Sequence, residues 1–271
     1  MTLKASEVVQ KIDDGYAAKT EGKARQYIGA SGIGNPCDAY QDFSLRGFPN
    51  TEPSPQLKRI FRLGHILEDE VVKDLKERAD VRVWEVDGLT GKQYSYGAWN
   101  GHVSAHMDGH IELDDGVLRV LEIKSMNDAN FKKFKRDGVK ASKPIYFAQL
   151  QMMMGLSKIE SSFFIAVNKN NSQYHAEIVD FDEFEFSHLK MRVQKVLNGK
   201  ATKISTDETD WRCRGCFKAD VCWGRAEVKK ECQTCAFAKP KPDGWWHCVK
   251  HDVDAPGICD DYELYKPLPK E

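Results

Sequence analysis

The cysteines constrain how this chain can fold more than any other feature of its sequence. The chain has 271 residues and eight cysteines; seven of the eight lie in the last quarter, while Cys37 stands alone near the start. After Asp210 there is little hydrophobic periodicity, so this segment cannot build an apolar core from its own side chains. In a reducing compartment, clustered C-x2-C pairs favour metal binding over disulfides. We therefore expect bound metal to hold the end of the chain together.

The composition is that of a globular protein rather than a disordered or membrane-spanning one. Hydrophobic residues make up 41% and charged residues 30% of the chain, which is typical of folded domains. No apolar run has the length of a membrane-spanning helix, and the first residues are too polar for a secretory signal. A chain of this length can form one large domain and a small one. We expect a cytoplasmic protein that does not bind membranes.

One short segment is strongly basic, although the net charge of −1 gives no global support for nucleic-acid binding. Residues 130–143 interleave basic side chains with Phe131 and Phe134. A solvated helix face is the favoured interpretation, and a rim that contacts phosphates is the alternative. The basic residues are Lys132, Lys133, Lys135, Arg136, Lys140 and Lys143.

Hydrophobic periodicity divides most of the chain into helices and strands. Helices are predicted at residues 6–19, 38–47, 54–79, 130–143, 143–156 and 183–200. Strands are predicted at residues 81–86, 93–99, 106–113, 117–125, 161–169 and 173–181. In the longest helix, apolar residues three and four positions apart predict one buried face. That face comprises Ile60, Leu63, Leu67, Val71 and Leu75.

Two acidic residues and a lysine fall on what are predicted to be adjacent strands. Glu122 and Lys124 are two residues apart, so they share one face of a strand, about 7 Å apart. A turn at residues 114–116 would bring Asp108 close to Glu122 from the neighbouring strand. Such carboxylates suit Mg²⁺ or Mn²⁺, and the lysine could activate water or stabilise charge. The alternative is a surface hairpin with an ion pair.

Five short motifs surround these residues in a definite order. They are YIGAS at 27–31, GHILE at 64–68, MDG at 107–109, EIK at 122–124 and AQLQ at 148–151. The ordered set resembles the RecB-like branch of the PD-(D/E)XK nuclease superfamily, with elements of the YqaJ and lambda-exonuclease type. The resemblance implies an α/β fold with a restriction-endonuclease-like core, in which helices flank a mixed sheet.

The same resemblance implies a role for each residue of the site. The metal ligands would be Asp108, Glu122 and the carbonyl of Ile123, and Lys124 would activate water. Glu68 matches a helix acid that reaches the site, and Gln149 matches a glutamine that orients the lysine or the phosphate. The sequence departs from the family pattern in two places, because Met153 replaces a common tyrosine and His65 lies one turn before the position of a common histidine.

Two further sets of residues have alternative interpretations. Ser31 with Arg25 resembles a 5′-phosphate anchor, while a helix cap is the other interpretation of Ser31. His102, His106 and His110 share the alternation of Asp108 along a strand, so a transition-metal site is conceivable. The nuclease interpretation is favoured, because a histidine site would not require the EIK acid and lysine.

The eight cysteines can be sorted into two sets of four. Cys37, Cys213, Cys216 and Cys222 resemble the iron–sulfur staple of AddB-type nucleases, in which four thiolates bind a [4Fe-4S] cluster. Joining residues so distant in sequence would stabilise the fold by on the order of 5 kcal/mol, if estimates for disulfides transfer. The staple would close a nuclease core formed by residues 1–225.

The other four cysteines would belong to a small module formed by residues 226–271. Their spacing is typical of a structural zinc knuckle, in which His247 or His251 could replace a thiolate. These cysteines are Cys232, Cys235, Cys248 and Cys259. A rival sorting keeps the C-x2-C-x15-C-x2-C spacing of a zinc site. It would join Cys213, Cys216, Cys232 and Cys235.

These features together predict a metal-dependent DNA exonuclease in recombination, repair or phage DNA processing. If a phage encodes the chain, it would act in the host cytoplasm. The sequence contains no G-x-x-x-x-G-K-[ST] phosphate loop, so a helicase or strand-annealing protein would be a separate partner. The competing hypothesis is a module with a nuclease fold that binds DNA or protein without cutting. An iron–sulfur redox protein is a third class, for which the sequence supplies no flavin or nucleotide site.

Overall fold

The computed structural model describes residues 4–19, 22, 24–254 and 257–269. The helices in these ranges are α1 Ala5–Ala17, α2 Ala30–Ile33, α3 Asp38–Leu45, α4 Pro55–Glu77, α5 Asp128–Ser142, α6 Pro144–Ser157, α7 Glu183–Leu197 and α8 Ala219–Cys222. The strands are β1 Ile28–Gly29, β2 Arg82–Trp84, β3 Ser95–Ala98, β4 Val103–His106, β5 Gly109–Glu112, β6 Leu118–Met126, β7 Ser161–Asn168, β8 Tyr174–Asp180, β9 Ala238–Pro240, β10 Trp246–Cys248 and β11 Val253–Asp254. Within the described residues, no helix combines the length and the apolar character needed to cross a bilayer.

The centre of the protein is a five-stranded mixed sheet in the order β2–β5–β6–β7–β8. β5 and β6 are antiparallel and joined by a tight turn, in which Gly116 has a φ of +70°. β6 and β7 are parallel, because the chain returns through α5 and α6 between them. The predicted α/β fold, a mixed sheet flanked by helices, is therefore confirmed.

Both faces of β6 are buried, each against a different helix. Leu121 and Ile123 pack with Val71 and Leu75 of α4, while Val120 packs in the core that contains the buried side of α6. Alternation along the strand therefore directs successive side chains into two cores. The face of β6 that carries Glu122 is buried, so the alternative of a surface hairpin is wrong.

The prediction of one buried face along the whole of α4 is wrong for its first half. Ile60 is 40% exposed and Leu63 is 43% exposed, whereas Val71 and Leu75 are buried. Only the second half of α4 packs on the sheet. The first half contacts α1, where Arg59 forms an ion pair with Asp13. Hydrophobic periodicity predicted the helix correctly, but it could not predict which part of the helix contacts the sheet.

The strand predicted at residues 106–113 is divided between two sheets. β4 belongs to a small sheet in the order β1–β4–β3, and β5 belongs to the central sheet. The chain changes sheets at Met107 and Asp108. Gly109 permits the change, because a Cβ at this position would lie 2.7 Å from the carbonyl oxygen of Trp84 in β2. Asp108 consequently lies at a junction between sheets.

The region after residue 225 forms a small antiparallel sheet, β9–β10–β11, that packs on the rest of the chain. Arg46 is fully buried, forms an ion pair with Asp42 at 3.0 Å and lies 3.6 Å from the ring centroid of Tyr265. Its guanidinium also donates to the carbonyl oxygens of Gln233, Cys235 and Ala238. One buried cation thus joins α3 to the C-terminal region.

Candidate active site

Three side chains meet beside α4 and α6: Asp108 from the segment between β4 and β5, and Glu122 and Lys124 from β6. The register of β5 and β6 pairs Gly109 with Leu121, so Asp108 lies across from Glu122. A carboxylate oxygen of Asp108 accepts a hydrogen bond from the backbone N–H of Ile123 at 2.8 Å. This bond fixes the Asp108 carboxylate next to β6, so the backbone itself brings the two acids together.

Glu122 is the most constrained group of this cluster, with only 1% of its surface exposed. One carboxylate oxygen, Oε1, accepts hydrogen bonds from Lys124 and, at 2.7 Å, from Gln149 of α6. The other oxygen, Oε2, is buried and has no hydrogen-bond partner. A buried acceptor left without a partner is unfavourable, and a hard cation is a suitable partner for it. The donor set therefore fits a divalent ion.

Glu68 reaches the cluster from α4. Burial and, next, the negative charge of the neighbouring Asp108 carboxylate raise the pKa of Glu68 to about 7. Gly64, one turn earlier, lies against β6, since a Cβ there would be 3.7 Å from the Ser125 hydroxyl. His65 is 82% exposed along its side chain and lies 3.7 Å from Glu68, so it faces solvent rather than the acids.

The charges in the cluster depend on one another. Burial, with Asp108 as the second cause, raises the pKa of Glu122 to about 8. Burial alone would lower the pKa of Lys124, but the Glu122 and Asp108 carboxylates outweigh it and raise the pKa. Without a bound cation, the site therefore holds extra protons on its acids and a firmly charged lysine.

These shifts predict how Mg²⁺ affects stability at different pH. Glu68 and Glu122 have pKa values above their usual 4.5, so the folded metal-free protein binds protons that the unfolded chain releases, and its stability falls as pH rises from about 4.5 towards 8. Since a cation displaces those protons, Mg²⁺ should raise the melting temperature more at pH 8 than at pH 6. Differential scanning fluorimetry measures both shifts.

The matched control for this measurement is Glu122→Gln, which keeps the shape of the side chain but removes a ligand. The variant should lose most of the Mg²⁺ effect at both pH values. Equal stabilisation of the wild-type protein at pH 6 and pH 8 would contradict the proton linkage.

Tyr146 belongs to the site although the sequence analysis did not identify it. The amino group of Lys124 lies 5.6 Å from the centroid of the Tyr146 ring. Tyr146 precedes Gln149 by three residues on α6, so both side chains lie on the same face of that helix. That spacing was the signal available in the sequence.

Arg25 and Ser31 border a separate cavity of about 360 Å³. Ser31 does not cap a helix, because the residue that caps α2 is Gly29 and no side-chain cap bond is present. Lys218, which the sequence analysis did not identify, also borders this cavity and is 4% exposed. The other lining residues are polar or small, and none is acidic: Gly22, Ala24, Tyr27, Gly29, Gly32, Tyr40, Gln41, Ser44 and Asn50.

The basic segment forms α5 and behaves largely as a solvated helix face. Phe131 and Phe134 are buried, so the intervening basic residues point outward. Lys132 pairs with Asp128 of its own helix at 2.8 Å, and Lys140 pairs with Asp182. These neighbours neutralise part of the charge that would contact a phosphate backbone.

The three histidines have different partners and do not form one site. His102 lies 2.9 Å from the carbonyl oxygen of Lys241, and His106 lies 3.3 Å from the Tyr27 hydroxyl. His110 packs against the ring of Tyr94, with centroids 4.0 Å apart. The expectation that all three histidines point to the same side of one strand is wrong, because the chain changes sheets between His106 and His110.

The cysteines border two separate cavities. One, of about 30 Å³, is lined by Cys37, Cys213, Cys216 and Cys222. The other, of about 220 Å³, is lined by Cys232, Cys235, Cys248 and Cys259. His251 also borders the second cavity and lies 3.7 Å from the sulfur of Cys259, whereas His247 pairs with Asp252. The rival sorting would draw its four cysteines from both cavities, so this geometry does not support it.

Residues 22–160 match the family model of the YqaJ-like viral recombinase domain. No protein of curated function matches the chain. The match covers the carboxylates, Lys124 and Gln149, and it ends before the cysteines of the last quarter.

Three solved structures are similar to this one. An alkaline exonuclease from Laribacter hongkongensis has 18% identity and a TM-score of 0.46, over 68% of this chain and 90% of that one. A phage-related exonuclease from Haemophilus somnus 129PT has 12% identity and a TM-score of 0.43, over 67% and 94%. SSO0001 has 14% identity and a TM-score of 0.45, over 82% and 97%.

Proposed function

The chain belongs to the family of YqaJ-like viral recombinase domains, and from this premise we propose that it is a metal-dependent DNA exonuclease of phage-type recombination or repair. The observation that carries the proposal is the buried, unpartnered carboxylate oxygen of Glu122, next to Asp108 and Lys124. A fold that only bound DNA would gain nothing from an uncompensated acceptor at this position.

In this proposal, Asp108, Glu122 and the Ile123 carbonyl hold Mg²⁺ or Mn²⁺. When bound, the ion supplies Lewis-acid stabilisation of charge on the scissile phosphate. Lys124 stays protonated beside Glu122 and stabilises negative charge that develops on the phosphate oxygens. Gln149 orients Glu122 through its 2.7 Å hydrogen bond.

Glu68 is proposed to handle a proton in the same site. Glu68 is half-buried beside Asp108 in the cluster, and once ionised its carboxylate can accept a proton from an attacking water. Tyr146 packs beside Lys124 and limits the rotamers of the lysine side chain.

The cavity bordered by Arg25 and Ser31 is proposed to bind the 5′-phosphate of a DNA end. Its lining contains the cations Arg25 and Lys218, several hydroxyl groups and no acidic residue. Such a lining suits a phosphate group, which accepts charge-assisted hydrogen bonds. Binding of the 5′-phosphate in this cavity would direct cleavage to the ends of DNA.

Two cysteine sets are proposed to hold structural metal. Four thiols around one cavity fit a [4Fe-4S] cluster on Cys37, Cys213, Cys216 and Cys222. The second set, Cys232, Cys235, Cys248 and Cys259, is assigned to zinc by its spacing and its shared cavity. Among the described residues, the ligand atoms that already lie within 4.8 Å of one another are those of His251, Cys259 and Asp261. Any strand unwinding or annealing is assigned to a separate helicase or annealing protein, since the sequence has no phosphate loop.

Digestion of end-labelled duplex DNA with varied metal ions tests the function. We expect release of mononucleotides from one end, only when Mg²⁺ or Mn²⁺ is present, and faster release from 5′-phosphorylated than from 5′-hydroxyl DNA. Arg25→Gln should remove most of that difference. Binding of DNA without any cleavage, in all metals, would favour the non-catalytic module instead.

A further inference from the structure

Lys218 is buried between two cavities. It borders the cavity of Arg25 and Ser31, and it also borders the cavity of the first four cysteines. Tyr40 is the second residue that borders both. The wall between the proposed phosphate site and the proposed cluster is therefore formed in part by a cationic and a phenolic side chain.

Among the described residues, the partner of the Lys218 amino group is a backbone carbonyl oxygen and not a carboxylate. Its amino group donates to the carbonyl oxygen of Phe48, and only 4% of the residue is exposed. A buried cation without an anion is unfavourable. Two anions could compensate it from the adjoining cavities, namely cluster thiolates on one side and a phosphate on the other.

The backbone around Lys218 is bonded to the cysteines of the first set. Its N–H donates to the sulfur of Cys216 at 3.4 Å, and its carbonyl oxygen accepts from the N–H of Cys222 at 2.9 Å. A third bond runs from the N–H of Ala219 to the carbonyl oxygen of Cys216 at 3.0 Å. Because Lys218 lies between two ligands in the sequence, any constraint on Cys216 and Cys222 also constrains the lysine.

From this arrangement we propose that Lys218 binds the terminal phosphate of DNA and that the four-cysteine cluster sets its position. Lys218 is a specificity-determining residue, and Cys37, Cys213, Cys216 and Cys222 are positioning residues for it. The inference rests on the proposed function, since it names a DNA end as the ligand. It adds a residue outside the family-matched segment 22–160 and gives the cluster a role in substrate selection.

The test compares binding of 5′-phosphorylated and 5′-hydroxyl duplexes to the cluster-loaded full chain, without divalent metal, by fluorescence anisotropy. The wild-type protein should prefer the phosphorylated duplex. Lys218→Met should reduce this preference by about 10-fold or more, which corresponds to one charged hydrogen bond, while the cluster absorbance near 400 nm is retained. Lys203→Met is the matched control, because Lys203 donates to the carbonyl oxygen of Cys222 but does not border the phosphate cavity.

Removal of the cluster tests the positioning step without altering Lys218. Chelation of iron from the wild-type protein, and separately Cys37→Ser, should both lower the preference for the phosphorylated duplex. Circular dichroism shows whether the apo protein is still folded, and a folded apo protein that keeps the full preference would overturn the positioning role. A folded Lys218→Met variant with an intact cluster and an unchanged preference would overturn the binding role.

The outcome for this inference is separable from that for the proposed function. A protein that prefers phosphorylated ends but never cuts DNA would sink the nuclease proposal and leave the inference standing. A protein that cuts DNA but binds 5′-phosphorylated and 5′-hydroxyl duplexes equally would support the nuclease proposal and overturn the inference.

Discussion

Replacing Lys124 with alanine is expected to slow DNA cleavage by at least about 100-fold, the usual effect of removing a group that stabilises charge or transfers a proton. The amino group of Lys124 donates to Glu122 and lies in the field of Asp108. Its removal therefore takes a lysine out of the carboxylate cluster while Asp108 and Glu122, the proposed metal ligands, stay in place. The rate of nucleotide release from end-labelled DNA under single-turnover conditions measures the effect.

The matched control for this variant is Lys133→Ala. Lys133 is an exposed lysine of α5, so its loss should change cleavage little. Binding of duplex DNA in Ca²⁺ should be similar for both variants, which would assign the loss to chemistry rather than affinity. An unchanged cleavage rate for Lys124→Ala, at unchanged stability, would refute its catalytic role.

Replacing Arg46 with methionine is expected to lower the free energy of unfolding by about 3–5 kcal/mol, as for other buried ion pairs that lose one partner. The change leaves the Asp42 carboxylate without its ion-pair partner. Asp42 is 1% exposed, and one of its carboxylate oxygens already has no hydrogen-bond partner. The change also removes the hydrogen bonds that the guanidinium donates to three carbonyl oxygens of the C-terminal region. Urea denaturation followed by tryptophan fluorescence measures the loss, because Trp246 lies 5.2 Å from the Arg46 guanidinium.

The control is Arg82→Met, which removes an ion pair that is largely in water. Arg82 pairs with Glu112 and is 68% exposed along its side chain, so its loss should lower the free energy of unfolding by less than about 1 kcal/mol. Similar losses for the two variants would mean that Arg46 does not join the C-terminal region to α3.

Most helices and strands were predictable, because their signals are local. The alternation in residues 117–125 identified β6, and the tight turn at residues 114–116 gave the correct antiparallel partner. Alternation could not reveal the change of sheet at Met107, since it marks a strand but does not indicate which sheet the strand joins. Periodicity likewise marked α4 in full but could not indicate that its first half extends away from the sheet.

The residues of the candidate site also divide into those that local sequence patterns predicted and those that they did not. Asp108, Glu122 and Lys124 were predictable because strand geometry alone brings them together. Tyr146 was missed because its one signal in the sequence, the three-residue spacing from Gln149, places it on a helix face but does not connect it to a lysine of β6. Lys218 was missed for a stronger reason, because it lies 193 residues beyond Arg25 in the chain and meets it only through the packing of α3 and the cysteine region.

Local patterns in the sequence were enough to predict most helices and strands, the pairing of β5 with β6 and the acids and lysine that this pairing joins, because each depends on residues close together in the chain. The packing of distant segments established which cysteines share a cavity, that Glu122 keeps a buried oxygen without a partner, and that Arg46 and Lys218 are buried. Burial and charge compensation arise when surfaces from different parts of the chain exclude water together, and no local pattern encodes which surfaces will meet.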